Sequence, residues 1–458
     1  MTAKRWGYLA VGVLVLLAWS ISMPTPHPAE ATANNGTIAP TATSAVTALA
    51  NGDVSTLPNF TVAFIGDSGD GSNGDQRFDE VLHLIQTEGA EMVVHLGDFV
   101  YTPLVASTIT ELWQSNIDTI LGPNFLYLGV EGNHDVWSSF EPFFRERLAR
   151  NHYDPNTING TDYALAHNGL KLVFVGQNVE NNATFLSQNL AEDRHIWKIC
   201  GWHQNMNDFQ AGGKADERLW TEYQICQDAG AIIATGHEHS YARTLTLNEP
   251  AHTAGVHRTT GDSGQMWVER GKPGKSFVFV NGLGGYTKRA YRADLHDDDG
   301  WWATIYTSTR YCRDDCTDPV TQAQQRSADI AAYRYNHGAL FITFHVDDDP
   351  YKARGYFKTI DGDVIDTFEI HAVASTPTPS ATPTPTSTAT TMMPTSTPSP
   401  TPTETPIDPT ATSTHTPTAS PTAPAGPAST ATSTPTPTAT PPAQDAPAIF
   451  MPMLLGSP

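Results

Sequence analysis

An α/β fold built on two packed sheets is what the sequence predicts, from three observations. Strand-like and helix-like periods alternate up to about residue 240, strand-rich sequence follows residue 276, and five apolar runs each stop abruptly at a glycine or polar residue. The runs are TVAFI before Asp67, EMVVHL before Asp98, NFLYLGV before Asn133, WKIC before His203 and AIIAT before His237. Each has the β-branched and aromatic content of a buried strand entering a loop. Between the first two, RFDEVLHLIQ carries the 3.6-residue period of an amphipathic helix, and Asp70 and Asp75 ahead of it read as loop and helix-capping residues. The segment 286–335, with RADLHDDDGWW and YCRDDC, fits neither period and reads as a long insertion near the rim of the site. The aspartates of HDDDG read as solvated loop residues in preference to a calcium site.

Composition divides the rest of the chain. Residues 1–31 combine Lys4 and Arg5, an apolar run from Gly7 to about Ser20, and Ala29-Glu30-Ala31, the anatomy of a secretory signal peptide. Extended to Met23 the same run is about long enough to span a bilayer as an uncleaved anchor; cleavage is the preferred reading. Residues 32–57 read as a flexible lead-in, and 58–372 as one catalytic domain large enough for a sizeable core. From 373 to 444 the chain is almost entirely Thr, Pro, Ser and Ala, unable to bury a core and therefore an extended, disordered linker that could reach on the order of 200 Å at ~3.1 Å per residue. The last stretch, 445–458, holds an apolar patch from Ile449 to Leu455 that is too short to cross a bilayer and fits a surface-sorting signal or a degenerate remnant equally.

Four cysteines in a chain read as exported favour two disulfides among three possible pairings. The expected pairs are Cys312 with Cys316, closing a small loop, and Cys200 with Cys226, tying a strand to the following helix. The formal net charge of −22 falls mostly on the globular stretch. Such a surface repels nucleic acid and anionic membranes, which argues against both as bulk partners.

Function is carried by the strings that end the runs: GDSG at 66–69, GDFVY at 97–101, GNHD at 132–135, CGWH at 200–203 and GHEH at 236–239. Loops beyond the carboxyl ends of parallel strands gather on one edge of a sheet, so residues distant in sequence can converge there. Asp67, Asp98, Tyr101, Asn133, His203, His237 and His239 then form a set of oxygen and nitrogen donors suited to two adjacent metal ions. Asp98 and Tyr101 are spaced to share one side of a single turn, and His237 and His239 to share one side of an extended chain. His95 reads as a packed histidine, not a ligand. Lys214, Asp216 and Glu217 are placed either to reach substrate or simply to start a solvated helix.

With these strings in this order, from about Phe60 to Ile370 and including GHEHSYAR at 236–243 and DGDVIDTFEI at 361–370, the chain resembles the calcineurin-like metallophosphoesterase superfamily. Gly69 stands where most of that superfamily has a histidine, and Tyr101 supplies the missing donor, which resembles the purple acid phosphatase branch. The resemblance implies a four-layer sandwich of two mixed β-sheets flanked by helices. It implies one metal held by Asp67, Asp98, Tyr101 and His239, and a second by Asp98, Asn133, His203 and His237, with Asp98 bridging. A phenolate favours a ferric ion, so the expected pair is Fe(III) with divalent Fe, Zn or Mn.

The implied reaction is phosphomonoester hydrolysis by metal-bound hydroxide. His134 is the candidate transition-state stabiliser or proton donor, and Asp135 the candidate to orient its ring. A phosphodiesterase or nucleotide hydrolase on the same site, and an inactive surface-displayed binding protein, are the alternatives. The expected partner is a small phosphate ester. The expected location is secreted or at the cell surface, with no stable membrane insertion after signal cleavage and the C-terminal tail as a route to surface attachment. That branch commonly carries further substrate-binding histidines after the fourth motif, whereas residues 204–235 contain none.

Overall fold

The computed structural model describes residues 48–70, 76–101, 107–250, 259–313, 316 and 335–374. The stretches read as signal peptide and C-terminal tail, most of that read as lead-in and nearly all of that read as linker lie outside the described residues. In chain order the first half holds β1 (Phe60–Ile65), α1 (Phe78–Thr87), β2 (Met92–His95), α2 (Ser107–Ile120), β3 (Leu126–Gly129), α3 (Trp137–Arg150), β4 (Tyr163–His167), β5 (Leu170–Phe174) and α4 (Val179–Leu190). There follow β6 (Lys198–Trp202), α5 (Trp220–Asp228), β7 (Ile232–Thr235), β8 (Tyr241–Thr244), β9 (Thr246–Leu247), β10 (Thr259–Thr260), β11 (Gln265–Val268) and β12 (Val278–Asn281). Last come α6 (Ala293–His296), β13 (Trp302–Tyr306), β14 (Tyr311–Arg313), β15 (Gly338–Phe344), β16 (Lys352–Thr359) and β17 (Val364–Ala372).

The strands form two mixed sheets, in the orders β11-β17-β16-β15-β1-β2-β3 and β14-β13-β8-β12-β7-β6-β5-β4, with β9 and β10 as a separate ribbon. In the first sheet β1, β2 and β3 run parallel and β15 joins antiparallel to β1. In the second, β5, β6, β7 and β12 run parallel, and β8 joins antiparallel to β12. All five runs read from the sequence are therefore parallel strands, three in one sheet and two in the other. The expected sandwich of two mixed sheets flanked by helices is the observed architecture.

Period-2 alternation explains how strands buried on both faces hold two cores at once. In β6 and β7, Ile199, Ile232 and Ala234 face a core shared with the first sheet. Cys200, Trp202 and Ile233 face a second core with Leu186 and Leu190 of α4 and Tyr223 and Cys226 of α5. The expected disulfide Cys200–Cys226 lies in that second core and joins β6 to α5. Cys312–Cys316, the other expected pair, is also formed. Helix α1 buries Phe78, Val81, Leu82 and Ile85, one helical face, and carries Asp79 and Glu80 in its first turn, where the helix dipole favours them.

Three expectations are corrected. The N-cap of α1 is Arg77, with no side-chain cap; Asp70 is buried ahead of it and Asp75 lies outside the described residues. Residues 48–57 are not a free lead-in: Asp53 is buried against Arg194, Val54 bridges His195, and Leu57 N donates to Asn168 O. Within the segment read as a rim insertion, β13 and β14 extend the second sheet beyond β8. Two of the three HDDDG aspartates are engaged by protein groups: Asp297 by Arg310 and Asp299 by His296 and Trp302.

Candidate metal centre

The carboxyl ends of β1, β2 and β3 meet those of β6, β7 and β12 where the two sheets abut. Asn281 at the end of β12 donates to Phe64 O of β1 at 2.7 Å, and Gly284 N donates to Gly66 O, which locks the two strand ends together. Asp67, Asp98 and His237 leave their strands with positive φ, at 57°, 55° and 71°. Left-handed backbone costs a non-glycine residue roughly 1–2 kcal/mol, and clustering at one place marks a site where surrounding contacts impose it. Gly132 is required by the crowding: a Cβ there would lie 2.0 Å from Asp98 N.

The seven candidate donors fall into two adjoining groups. In the first, Tyr101 Oη donates to Asp67 Oδ1 at 2.7 Å and lies 3.0 Å from His239 Nε2, which is itself 3.3 Å from Asp67 Oδ1. In the second, His203 Nε2 lies 3.2 Å from Asp98 Oδ1, 3.2 Å from Asn133 Oδ1 and 3.0 Å from His237 Nδ1. His237 N donates to Asp67 Oδ2 at 2.8 Å, so the groups share a wall. Asp67, Asp98, His203, His237 and His239 are all nearly or fully buried.

The donor chemistry fits a bound cation. His203 Nδ1 is held by Leu96 O at 2.7 Å, which makes it the protonated nitrogen and leaves Nε2 as a lone pair facing His237 Nδ1 and two side-chain oxygens. His239 Nδ1 is likewise engaged, by Thr287 Oγ1 at 2.5 Å, with Nε2 turned to the site. His237 Nε2 lies 2.7 Å from Glu217 Oε2, close but poorly aligned for a hydrogen bond. With His203 neutral these converging acceptors repel one another, so a proton or a cation must sit among them, and without a metal the proton on His203 takes that place.

Protein charges alone give the complementary picture. Burial works to raise the pKa of Asp67, but His239, His203 and the Tyr101 hydroxyl outweigh it and hold the carboxyl well below its usual range. Burial also opposes protonation of His203, yet Asp98 and Asp67 raise it to about 9. Burial, then the charges of Asp67 and Asp98, drive the Tyr101 phenol far above its ordinary value. Without cations the phenol is thus a neutral donor to Asp67; phenolate character there needs a positive ion to offset two carboxylates.

Sequence spacing foresaw the convergence but not its route. Asp98 to Tyr101 is an irregular loop, not a helical turn. His237 and His239 are not side by side on extended chain: Nδ1 of the first joins the Asp98 group and Nε2 of the second the Asp67 group. Asp135 does not orient His134. Its carboxylate accepts from Asp98 N, Phe99 N and Gly132 N at 2.8–2.9 Å, tying the GDFVY and GNHD loops together. Asp135→Ala therefore loosens Asp98 and should lower metal affinity about 10- to 100-fold, the usual cost of a lost supporting contact, measured by metal titration of apoprotein.

His134 is exposed at the mouth, its ring 4.7 Å from that of Tyr101, and its N donates to Asp98 Oδ1. His95 is packed among Phe99, Trp113 and Tyr127, and burial holds it neutral with a pKa near 3. Two contacts had not been anticipated: Thr287 on His239, and Tyr286, whose ring stacks on Tyr101 at 3.6 Å and 6°. Both follow VFVNGLGG, another apolar run stopped by glycine.

No curated protein sequence matches the chain. Among solved structures, a purple acid phosphatase isolated from yellow lupin (Lupinus luteus) seeds aligns over 73% of this chain and 61% of its own, at 16% identity and a TM-score of 0.46. PhoD aligns over 69% and 70%, at 10% identity and 0.40, and a dimetal phosphatase from Danio rerio over 69% and 100%, at 9% and 0.36. The chain thus spans about three fifths of the length of the lupin protein. Residues 60–241, which carry β1 to β7 and all seven candidate donors, match the family model for calcineurin-like phosphoesterases, and the chain carries a domain of that family.

Proposed function

We propose that this protein is an exported, binuclear metal-dependent phosphatase that hydrolyses phosphomonoesters, of the purple acid type. The single observation that carries the reading is the arrangement of seven donors as two adjoining groups, with Asp98 facing Tyr101 on one side and His203 on the other. Asp67, Tyr101 and His239 would hold one ion and Asn133, His203 and His237 the other, with Asp98 between them. When bound, such a pair polarises a phosphoryl group and makes a water acidic enough to attack at neutral pH. A phenolate at Tyr101 favours Fe(III) on its side, with a divalent Fe, Zn or Mn opposite.

This chain's own residues supply the rest. His134, exposed beside Tyr101, is placed to donate a proton to the leaving oxygen. The export reading rests on the signal-like residues 1–31, and two disulfides are compatible with it. Among the described residues no helix is long and apolar enough to cross a membrane. The 58–372 stretch is the proposed catalytic domain, with 373–444 as its spacer and 445–458 as a means of surface attachment.

Metal-loaded protein should turn over p-nitrophenyl phosphate and show a visible tyrosinate-to-iron band that Tyr101→Phe abolishes. Turnover of the bis-ester alone would move the reading to a phosphodiesterase. Turnover of neither ester would leave a binding protein, and elemental analysis without transition metal would overturn the cofactor assignment.

A further inference from the structure

One loop touches every member of the Asp67, Tyr101 and His239 group. After β12 the chain runs Leu283-Gly284-Gly285-Tyr286-Thr287. Tyr286 N donates to Asp67 O at 3.0 Å, and Thr287 Oγ1 lies 2.5 Å from His239 Nδ1. The Tyr286 ring completes the set by stacking on Tyr101, with centroids 3.6 Å apart and planes 6° from parallel.

This loop is held from behind. Arg77 N donates to Gly285 O, Arg289 N donates to His239 O, and His337 Nε2 lies 3.1 Å from Tyr286 O. The GDSG loop leaves the ring no slack, since a Cβ on Gly69 would lie 3.2 Å from Tyr286 Cδ2. Tyr286 is only half-buried and belongs to neither hydrophobic core, so burial alone does not account for where its ring lies.

The overlap of the two phenols is itself informative. Aromatic pairs prefer offset or edge-on arrangements with centroids about 4.5–7 Å apart, because ring faces carry like partial charge. With carbons in contact at about 3.5 Å, a centroid distance of 3.6 Å leaves an offset under ~1 Å, nearly face to face. Such an overlap becomes favourable when electron density is drawn out of one ring, which is what a cation on the Tyr101 oxygen does.

We propose that Tyr286 is a positioning residue for the first metal ion: its ring holds the Tyr101 phenol in register with Asp67 and His239 and raises the energy of the phenolate electrons that the ion draws on. The assignment deepens the binuclear reading and rests on it. The second group is supported by other contacts, Leu96 O on His203 among them, so loss of the Tyr286 ring acts on one ion only.

The test loads full-length wild type, Tyr286→Phe and Tyr286→Leu with iron and zinc, and measures visible absorption, stepwise metal affinity by calorimetry, thermal melts and turnover of p-nitrophenyl phosphate. Tyr286→Leu should weaken one of the two binding steps about 3- to 10-fold, the worth of one aromatic pair, and leave the other unchanged. It should also move the tyrosinate-to-iron band to shorter wavelength, since an electron-rich neighbour no longer lifts the donor electrons. Tyr286→Phe keeps a ring on Tyr101 and should stay close to wild type in both. An unmoved band with unchanged affinities in Tyr286→Leu, equal losses in the two variants, or equal losses at both steps would each overturn the inference, while turnover by the wild type keeps the phosphatase reading intact. A wild type that binds two ions and does not turn over the ester ends that reading, and the band and the affinities still decide for Tyr286. If no band appears with iron, the ferric assignment fails and the zinc titration decides by the same comparison. A wild type that binds no metal overturns both.

Discussion

Asp98→Asn is expected to lower kcat/KM for a phosphomonoester by at least about 10³-fold and to reduce bound metal below two ions per chain. Removing one well-placed electrostatic partner of a transition state typically costs 10²–10³, and the proposed role of Asp98 exceeds that because both ions depend on it. Its carboxylate lies 3.2 Å from His203 Nε2, accepts from His134 N at 2.9 Å, and faces the Tyr101 hydroxyl. Asparagine keeps the shape and tolerates the positive φ at this position, so the fold should persist while the anionic donor is lost. The backbone N–H bonds to Asp135 are also retained. An unchanged rate with two ions still bound would mean that Asp98 does not lie between them, and the two-ion arrangement proposed above would fall with it.

How much of this was legible beforehand follows from how each residue is encoded. Strand-end strings are legible because a parallel strand is a short continuous apolar run, and the polar residue that stops it must lie at the strand's carboxyl end. TVAFI, EMVVHL and NFLYLGV became β1, β2 and β3, and WKIC and AIIAT became β6 and β7. The strand Trp302–Tyr306, equally short and buried, escaped the same reasoning because acidic loop sequence flanks it on both sides and hides its run. The partners of Asp135 were missed for another reason. A carboxylate beside a histidine suggests an ion pair, but its actual acceptors are backbone N–H groups of another loop, which sequence identity does not record. Tyr286 and Thr287 carried a readable signal, the run VFVN broken by glycines, whose position at the end of β12 places them beside the histidines.

The largest expected effect on stability comes from a pair that touches no proposed ligand. Arg243 on β8 and Asp366 on β17 belong to different sheets, and their side chains meet through two hydrogen bonds, Nε to Oδ2 at 2.7 Å and Nη2 to Oδ1 at 2.9 Å. Tyr241 Oη also donates to Asp366 Oδ2, Ser263 O accepts from Arg243, and the guanidinium stacks 3.9 Å above Phe368. Both members are about 1% exposed, so neither charge has water to fall back on. Asp366→Asn and Arg243→Met should each cost about 3–5 kcal/mol, because each leaves its partner buried with its charge or donors uncompensated. Replacing both by apolar residues of similar volume should cost much less than the sum of the single changes, a coupling that urea denaturation of the four proteins would measure. Burial works to raise the pKa of Asp366, but Arg243 and the hydrogen bonds outweigh it, so the folded-state value lies below the unfolded one. The stabilisation is therefore fully present above the ordinary carboxylate pKa of about 4 and is lost as pH falls through the lower folded value. The gap between wild type and Asp366→Asn should be flat near neutrality and close only in strong acid. A gap already closing near pH 6 would mean that a histidine, and not this cross-sheet carboxylate, controls how the two sheets hold together.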